Sequence, residues 1–274
     1  MSTIPTVTLN NGVELPQIGY GVFEIPAPDA QRLTEVAFEA GYRHVDTAAG
    51  YRNEAGVGAA VRASGLPRTD LFVTTKLWNA DQGYESALAA FETSRAALGL
   101  DYVDLYLIHF PAPTRLAYAE TWRALEKLYA DGAVRAIGVS NFKYPFLDRL
   151  LATADIVPAV HQIEVHPTYQ QAELDADSRA QGIAVEAYSP LGRAADLDEP
   201  TIRAIAGELD VEPAQVILRW HLQAGRVALP KTSDPARIAR NIQILDFVLT
   251  DGQMDAIASL ERGLRTGEDV ETFN

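Results

Sequence analysis

A (β/α)8 TIM barrel is the fold class this sequence predicts, and three observations carry the prediction. An apolar strand, a polar turn and an amphipathic helix recur from end to end. The strand pattern occurs eight times, roughly 25 to 32 residues apart with one longer gap before the last, which is the repeat of that barrel. The 274 residues suit the ~250 that one such barrel occupies, and no linker, low-complexity tract or charge block divides them. An open doubly wound sheet competes, but it seldom reaches eight units without a strong glycine fingerprint. Gly19-Tyr20-Gly21 lacks the third glycine, and Gly56-Val57-Gly58 falls inside a helical stretch. Residues 1–274 are read as one domain.

The elements follow in order. Asn11-Gly12 supplies the positive φ angles of a tight two-residue turn, so Thr6 to Leu9 and Val13 to Pro16 should form an N-terminal β-hairpin. Barrel strands are expected at Ile18–Tyr20, His44–Asp46, Leu71–Lys76, Val103–His109, Val134–Ser140, Ala159–Glu164, Ala184–Tyr188 and Val227–Pro230. Helical spacing of Thr34, Ala37, Phe38 and Gly41, and of Leu125 and Leu128 between Arg115 and Asp131, fills two of the gaps. Asp29 should open the first helix, and Gly41 and Gly132 should stop theirs. A final helix is expected at about Asp251 to Ser259, then a tail from Gly263 to Asn274. The tail has the composition of a frayed end, but an isolated aromatic, Phe273, is worth burying. The nearest apolar concavity is the barrel mouth, so the tail should fold over that rim and tighten when ligands bind.

Acidic residues exceed basic ones by 37 − 23 = 14. Such a surface repels nucleic acid and anionic lipid, which leaves small molecules as the expected partners. A phosphate-bearing ligand would need a local cluster of cations. The absence of cysteine excludes disulfides, thiolate nucleophiles and cysteine-ligated metals. Met1-Ser2-Thr3-Ile4-Pro5 lacks the pattern of a signal peptide, and no run of about 18 apolar residues occurs. A cytoplasmic monomer is the default expectation.

Active sites of these barrels lie at the carboxyl ends of the strands. Those positions hold Gly21, Asp46, Lys76, His109, Ser140-Asn141, Gln162, Tyr188 and Lys231. Alternation puts His109 on one face with Val103, Leu105 and Leu107, and Lys76 with Phe72 and Thr74. Singly, each has an ordinary reading: a cap, an ion-pair partner, a hydrogen-bonded interior histidine. Together, a cation, a carboxylate and an imidazole converge beside the phenol of Tyr51. Free tyrosine has a pKa near ~10, too high for efficient proton donation at neutral pH. An adjacent ammonium, held charged by a carboxylate, should lower it and make the phenol a general acid for a carbonyl oxygen that gains charge as hydride arrives.

A second cluster is Lys231-Thr232-Ser233-Asp234-Pro235-Ala236-Arg237, which runs from the eighth strand into a helix. Two cations, hydroxyls and a helix start suit a phosphate dianion. Phe23, Trp78, Phe110 and Phe273 should wall a substrate pocket. Trp122 and Trp220 sit at core-like spacing, and His221 is read as structural or solvated.

The chain resembles the aldo-keto reductase superfamily in Gly41-Tyr42-Arg43-His44-Val45-Asp46-Thr47-Ala48 with Tyr51 and Asn53-Glu54, and in Thr75-Lys76-Leu77-Trp78. The resemblance continues through Val103 to His109, Ile137 to Phe142, Gln162 to Pro167, Tyr188-Ser189-Pro190-Leu191-Gly192 and Pro230-Lys231-Thr232. It is nearest to the bacterial branch containing 2,5-diketo-D-gluconate reductases. It implies a catalytic tetrad of Asp46, Tyr51, Lys76 and His109, with Tyr51 as the acid, and no metal. It implies NADP(H) as cofactor, with Gly21, Val22, Ser140, Asn141, Gln162, Tyr188, Ser189, Leu191, Lys231, Thr232, Ser233, Arg237 and Asn241 as its binding set. Within that set Tyr188 stacks on the nicotinamide, and Lys231 through Arg237 read the 2′-phosphate. Departures occur at Phe110 where tryptophan is usual, His161 where asparagine is common, and Arg240 where a glutamate is usual. Two other chemistries compete: a Schiff-base aldolase with Lys76 as nucleophile, and a metal-dependent hydrolase using His161, Glu164 and His166. Period-two geometry brings at most two of those three ligands together. A non-catalytic reductase-like binding subunit is the remaining alternative, which an intact tetrad argues against.

Overall fold

The computed structural model describes residues 4–270 together with 272 and 273; Met1-Ser2-Thr3 at the start and Asn274 at the end of the tail lie outside the described residues. The chain opens with β1 (Thr6–Thr8) and β2 (Glu14–Pro16), antiparallel with Val7 opposite Leu15. Their turn has three residues, since Leu9 N–H donates to the Val13 carbonyl and Gly12 N–H to the Leu9 carbonyl. Only Gly12 adopts a positive φ, of 82°. The expected two-residue turn is displaced because Asn11 makes an Asx contact, its Oδ1 accepting from Val13 N–H, while Asn11 and Asn10 amides tie the loop to the Arg135 and Pro158 carbonyls.

The barrel follows: β3 (Tyr20–Gly21), α1 (Ala27–Ala40), β4 (His44–Asp46), α2 (Glu54–Ala63), β5 (Phe72–Leu77), α3 (Tyr84–Leu98), β6 (Val103–Ile108), α4 (Tyr118–Ala130), β7 (Val134–Ser140) and α5 (Tyr144–Leu151). It continues with β8 (Val160–Glu164), α6 (Ala172–Ala180), β9 (Ala184–Tyr188), α7 (Pro200–Leu209), α8 (Pro213–Gln223), β10 (Val227–Leu229), α9 (Pro235–Asn241) and α10 (Asp251–Ala258). Among the described residues β3 to β10 form one eight-stranded parallel sheet in sequence order. Ile18 bridges to Ala228 in parallel and closes the ring, so the first expected strand splits into this bridge and a short β3. The first helix starts at Ala27, not at Asp29. Pro26 occupies the cap position, Pro28 presets the first turn, and Asp29 lies inside that turn without capping it. Gly41 stops the helix in the left-handed conformation, as expected.

Two apolar clusters hold the layers together. The outer one packs the helices on the sheet and contains Trp122 and Trp220; it also takes Val103, which sequence alternation had put inside. The inner one joins Phe72, Leu105, Leu107, Ala136, Val160 and Val227 to Leu9 and Leu15 of the hairpin. The hairpin thus plugs the amino end of the barrel with apolar side chains. Above this plug the inward residues turn polar, and that change defines the site.

Candidate active site

Lys76, on β5, is one of the largest fully buried side chains in the molecule. Its ammonium donates to Asp46 Oδ1 at 2.5 Å, to the Thr47 carbonyl at 3.0 Å and to the Tyr51 hydroxyl at 3.5 Å. β4 supplies Asp46, and a single turn of 3-10 helix at Ala49–Tyr51 swings the phenol back over the lysine. Gly50 permits this fold-back. A Cβ there would sit 2.6 Å from Trp78 Cε3, so the turn lies flat on the indole only because residue 50 has no side chain. His109 directly follows β6 and meets Tyr51 edge-on, with ring centroids 5.6 Å apart.

Electrostatics around these groups depart from the sequence expectation at one point. Burial opposes the Lys76 charge, but Asp46 and Tyr51 outweigh it and hold the ammonium above its ordinary pKa. For Tyr51 burial dominates and raises the pKa; Lys76 pulls it down, as expected, and Asp46 pushes it up. The net shift is therefore upward, because removing a phenolate from water costs more than one shared ammonium returns. Burial, aided by Lys76, keeps His109 neutral, well below the usual histidine range.

A cavity of about 900 Å³ opens above this group. Its wall includes Gly21, Phe23, Asp46, Tyr51, Trp78, His109, Phe110, Ser140, Asn141, Gln162, Tyr188, Ser189, Leu191, Lys231, Thr232, Arg237, Asn241 and Phe273. Three expected residues are not on that wall: Lys76 is fully buried behind the Asp46 and Tyr51 it bonds, and Val22 and Ser233 lie outside the cleft. Val22 is buried, its carbonyl accepting from Asn53, and Ser233 faces solvent. At the start of α9 Asp234 accepts from Ala236 N–H, and the cavity there is lined by the cations Lys231 and Arg237, in loose pairs with Glu24 at 3.8 Å and Asp234 at 3.7 Å. Arg240 is paired with Glu212 at 2.8 Å in a solvent-exposed ion pair, so its charge is matched there. Arg193, Leu197 and Arg203 also line the cavity and were missed; Arg193 and Leu197 lie on an irregular segment where Arg193 and Ala194 have positive φ, and Arg203 lies on α7.

The tail lies over the rim. Phe273 packs against Phe110 (4.5 Å between centroids) and Trp78 (6.0 Å). Deeper in, Glu164 accepts from Thr266 N–H and Oγ1–H and from Gly267 N–H, at 2.6 to 3.1 Å. Arg265 donates to the Tyr188 hydroxyl at 3.1 Å, and that hydroxyl donates to Asn141 Oδ1 at 2.7 Å. Burial opposes the Glu164 charge, but His166 and these donors hold its carboxyl at about 2. His166, between Glu164 and Asp196, is pushed up to about 9 against its own burial. Glu164 is thus a clasp for the tail and is not available as a metal ligand. His161 points the other way, to Ser178, so the three residues weighed for a metal do not converge. His221 is buried and bonded to the Pro190 carbonyl, which makes it structural.

Sequence reasoning also missed Glu186, an acid inside the barrel wholly shielded from solvent. The signal was present: alternation places it between Ala184 and Tyr188 in a strand where a charged residue is out of place.

The arrangement has counterparts among known proteins. The sequence profile of the aldo/keto reductase family matches residues 17–262. The chain is 49% identical over 270 residues to an aldo-keto reductase of Mycolicibacterium smegmatis, spanning 98% of both. It is 49% identical over 263 residues to the glyoxal reductase of Bacillus subtilis, spanning 96% of this chain and 95% of that one. The crystal structure of a Bombyx mori aldo-keto reductase in complex with NADP superposes with a TM-score of 0.92 at 37% identity, covering 98% of this chain and 96% of the other. With a profile spanning most of the chain and near-half identity over almost its full length, this chain belongs to the aldo/keto reductase family.

Proposed function

We propose that this chain is an NADPH-dependent reductase that converts aldehydes and ketones to alcohols, and that Tyr51, Lys76, Asp46 and His109 carry the chemistry. The observation that supports this most is the buried Asp46–Lys76–Tyr51 relay opening into the large cleft beside a neutral imidazole. The cleft fits a dinucleotide. Ser140, Asn141 and Gln162 offer amide and hydroxyl groups on one rim, Tyr188 offers a ring, and Lys231 with Arg237 offers cations at the far end. When bound, the reduced nicotinamide supplies the hydride. Tyr51 then donates its proton to the carbonyl oxygen, Lys76 stabilises the phenolate left behind, and Asp46 keeps Lys76 charged and aimed. Neutral His109 can hydrogen-bond the same oxygen and orient it.

The raised ammonium pKa of Lys76 speaks against the aldolase reading, because a Schiff-base lysine must lose its proton. The test of the main reading is direct. Purified protein should consume NADPH with members of a panel of aldehydes, ketones and dicarbonyls, followed by absorbance; no turnover with any of them would overturn it. We assign the chain to the branch containing 2,5-diketo-D-gluconate reductases, acting as a single-domain cytoplasmic monomer. No helix among the described residues is long and apolar enough to cross a membrane.

Replacing Lys231 and Arg237 by neutral residues should raise the NADPH KM about tenfold or more while changing the NADH KM little, because only the former carries the 2′-phosphate. Equal changes for both would mean these cations do not read it. The tail divides into a clasp at Arg265 to Gly267 and a lid at Phe273. Phe273→Ala should shift KM for bulky aromatic substrates about three- to tenfold, the scale of one lost aromatic contact, with NADPH affinity and melting temperature almost unaltered. An unchanged substrate profile would show that the ring is no part of the pocket.

A further inference from the structure

Beneath the catalytic group lies an acid that no step above uses. Glu186 Oε2 accepts from Gln162 Nε2 at 2.6 Å, and the same nitrogen donates to Asp46 Oδ2 at 2.9 Å. Only the amide nitrogen can donate to both carboxyl groups, so together they hold Gln162 with its nitrogen inward. The carbonyl oxygen is then the atom left for the cleft, where the amide N–H of a nicotinamide needs an acceptor. Glu186 Oε1 has no hydrogen-bond partner among the described residues. The groups facing this acid are Asp46 and His44 from β4, Lys76 from β5, Gln162 from β8, and Tyr51 beyond Lys76. His44 lies at 3.7 Å but is bonded to Thr74, and burial pushes it down to about 3, so it is neutral. Lys76 is the one cation in reach among them, and Asp46 already holds it.

We propose that Glu186 is a positioning residue for hydride transfer: through Gln162 it fixes the amide that faces the nicotinamide, and on ionising it adds a charge that weakens Tyr51 as an acid. The inference rests on the reductase reading above. Burial and the Asp46 carboxylate push the Glu186 carboxyl up to about 8, against the opposing pull of Gln162 and Lys76. Near neutral pH the acid is protonated, and the charges of Asp46 and Lys76 balance. Above about 8 Glu186 ionises, its charge raises the Tyr51 pKa, and proton donation weakens. Reduction should therefore lose rate as pH rises through that range.

The test is kcat for NADPH-linked reduction at about pH 6.5 and about pH 9, each protein referred to its own lower-pH value, with folding checked by circular dichroism. E186Q keeps the shape and hydrogen bonds of the neutral acid but has nothing to ionise. Its ratio of high-pH to low-pH kcat should exceed that of the unaltered enzyme about three- to tenfold. E186A leaves Gln162 held by Asp46 alone and should raise the NADPH KM about fivefold or more, an effect that E186Q largely rescues. Equal pH ratios for E186Q and the unaltered enzyme overturn the proposal. Should E186Q not fold, the infrared carboxyl band of the unaltered protein decides, read against E54Q because burial also raises Glu54. A protonated acid that persists in E54Q and titrates near pH 8 supports the proposal; its absence near neutral pH overturns it. An unaltered enzyme inactive on every carbonyl would overturn the reductase reading instead, a different result from either.

Discussion

Tyr51→Phe is expected to lower kcat by about 10² to 10⁴, the usual contribution of a positioned general acid, while NADPH affinity stays nearly intact. The phenylalanine ring preserves the edge contact with His109 and the tilted contact with Phe23, so the wall of the cleft is kept and only the proton is lost. Steady-state turnover and fluorescence titration with NADPH separate the two quantities. Near-normal turnover would remove Tyr51 from the mechanism, and a matching loss of cofactor affinity would mean that the ring supports the cleft instead.

Lys76→Met is expected to cost both stability and activity. It leaves Asp46 buried with Gln162 as its remaining side-chain donor, and stranding one partner of a buried ion pair typically costs about 3–5 kcal/mol. Urea denaturation measures this. The double variant Lys76→Met with Asp46→Leu removes both charges and should regain much of the stability while staying inactive. A double variant no more stable than Lys76→Met would show that the lysine contributes packing more than charge.

The sequence was informative where local rules act alone. Strand ends were legible because apolar runs stop at a polar residue in every repeat, and those residues, from Asp46 to Lys231, do gather on one rim. Phe273 was legible because a lone aromatic near a terminus has few other places to go. What escaped depends on distant partners. The hairpin turn lengthened because Asn10 and Asn11 reach carbonyls about 120 to 150 residues away. Asp29 lost its cap role to flanking prolines. The direction of the Tyr51 shift could not be read from the nearness of Lys76, since burial, the larger effect, exists only once the barrel has closed. Glu164 reads as a candidate ligand until the tail, a hundred residues later, is seen to fill it.

The Ile18–Ala228 bridge has a kinetic meaning as well as a geometric one. It joins residues 228 − 18 = 210 apart in sequence, so the barrel cannot close until Ala228 has left the ribosome. Asp46, Tyr51, Lys76 and His109 are all made more than a hundred residues before Ala228. Until then, β3 and the latest strand present unpaired edges that invite pairing with other chains. Long-range closure is also slow, because the loop entropy is lost before the contacts form. The catalytic group is therefore synthesised early and becomes competent late, and the interval between is when this protein is most exposed to aggregation.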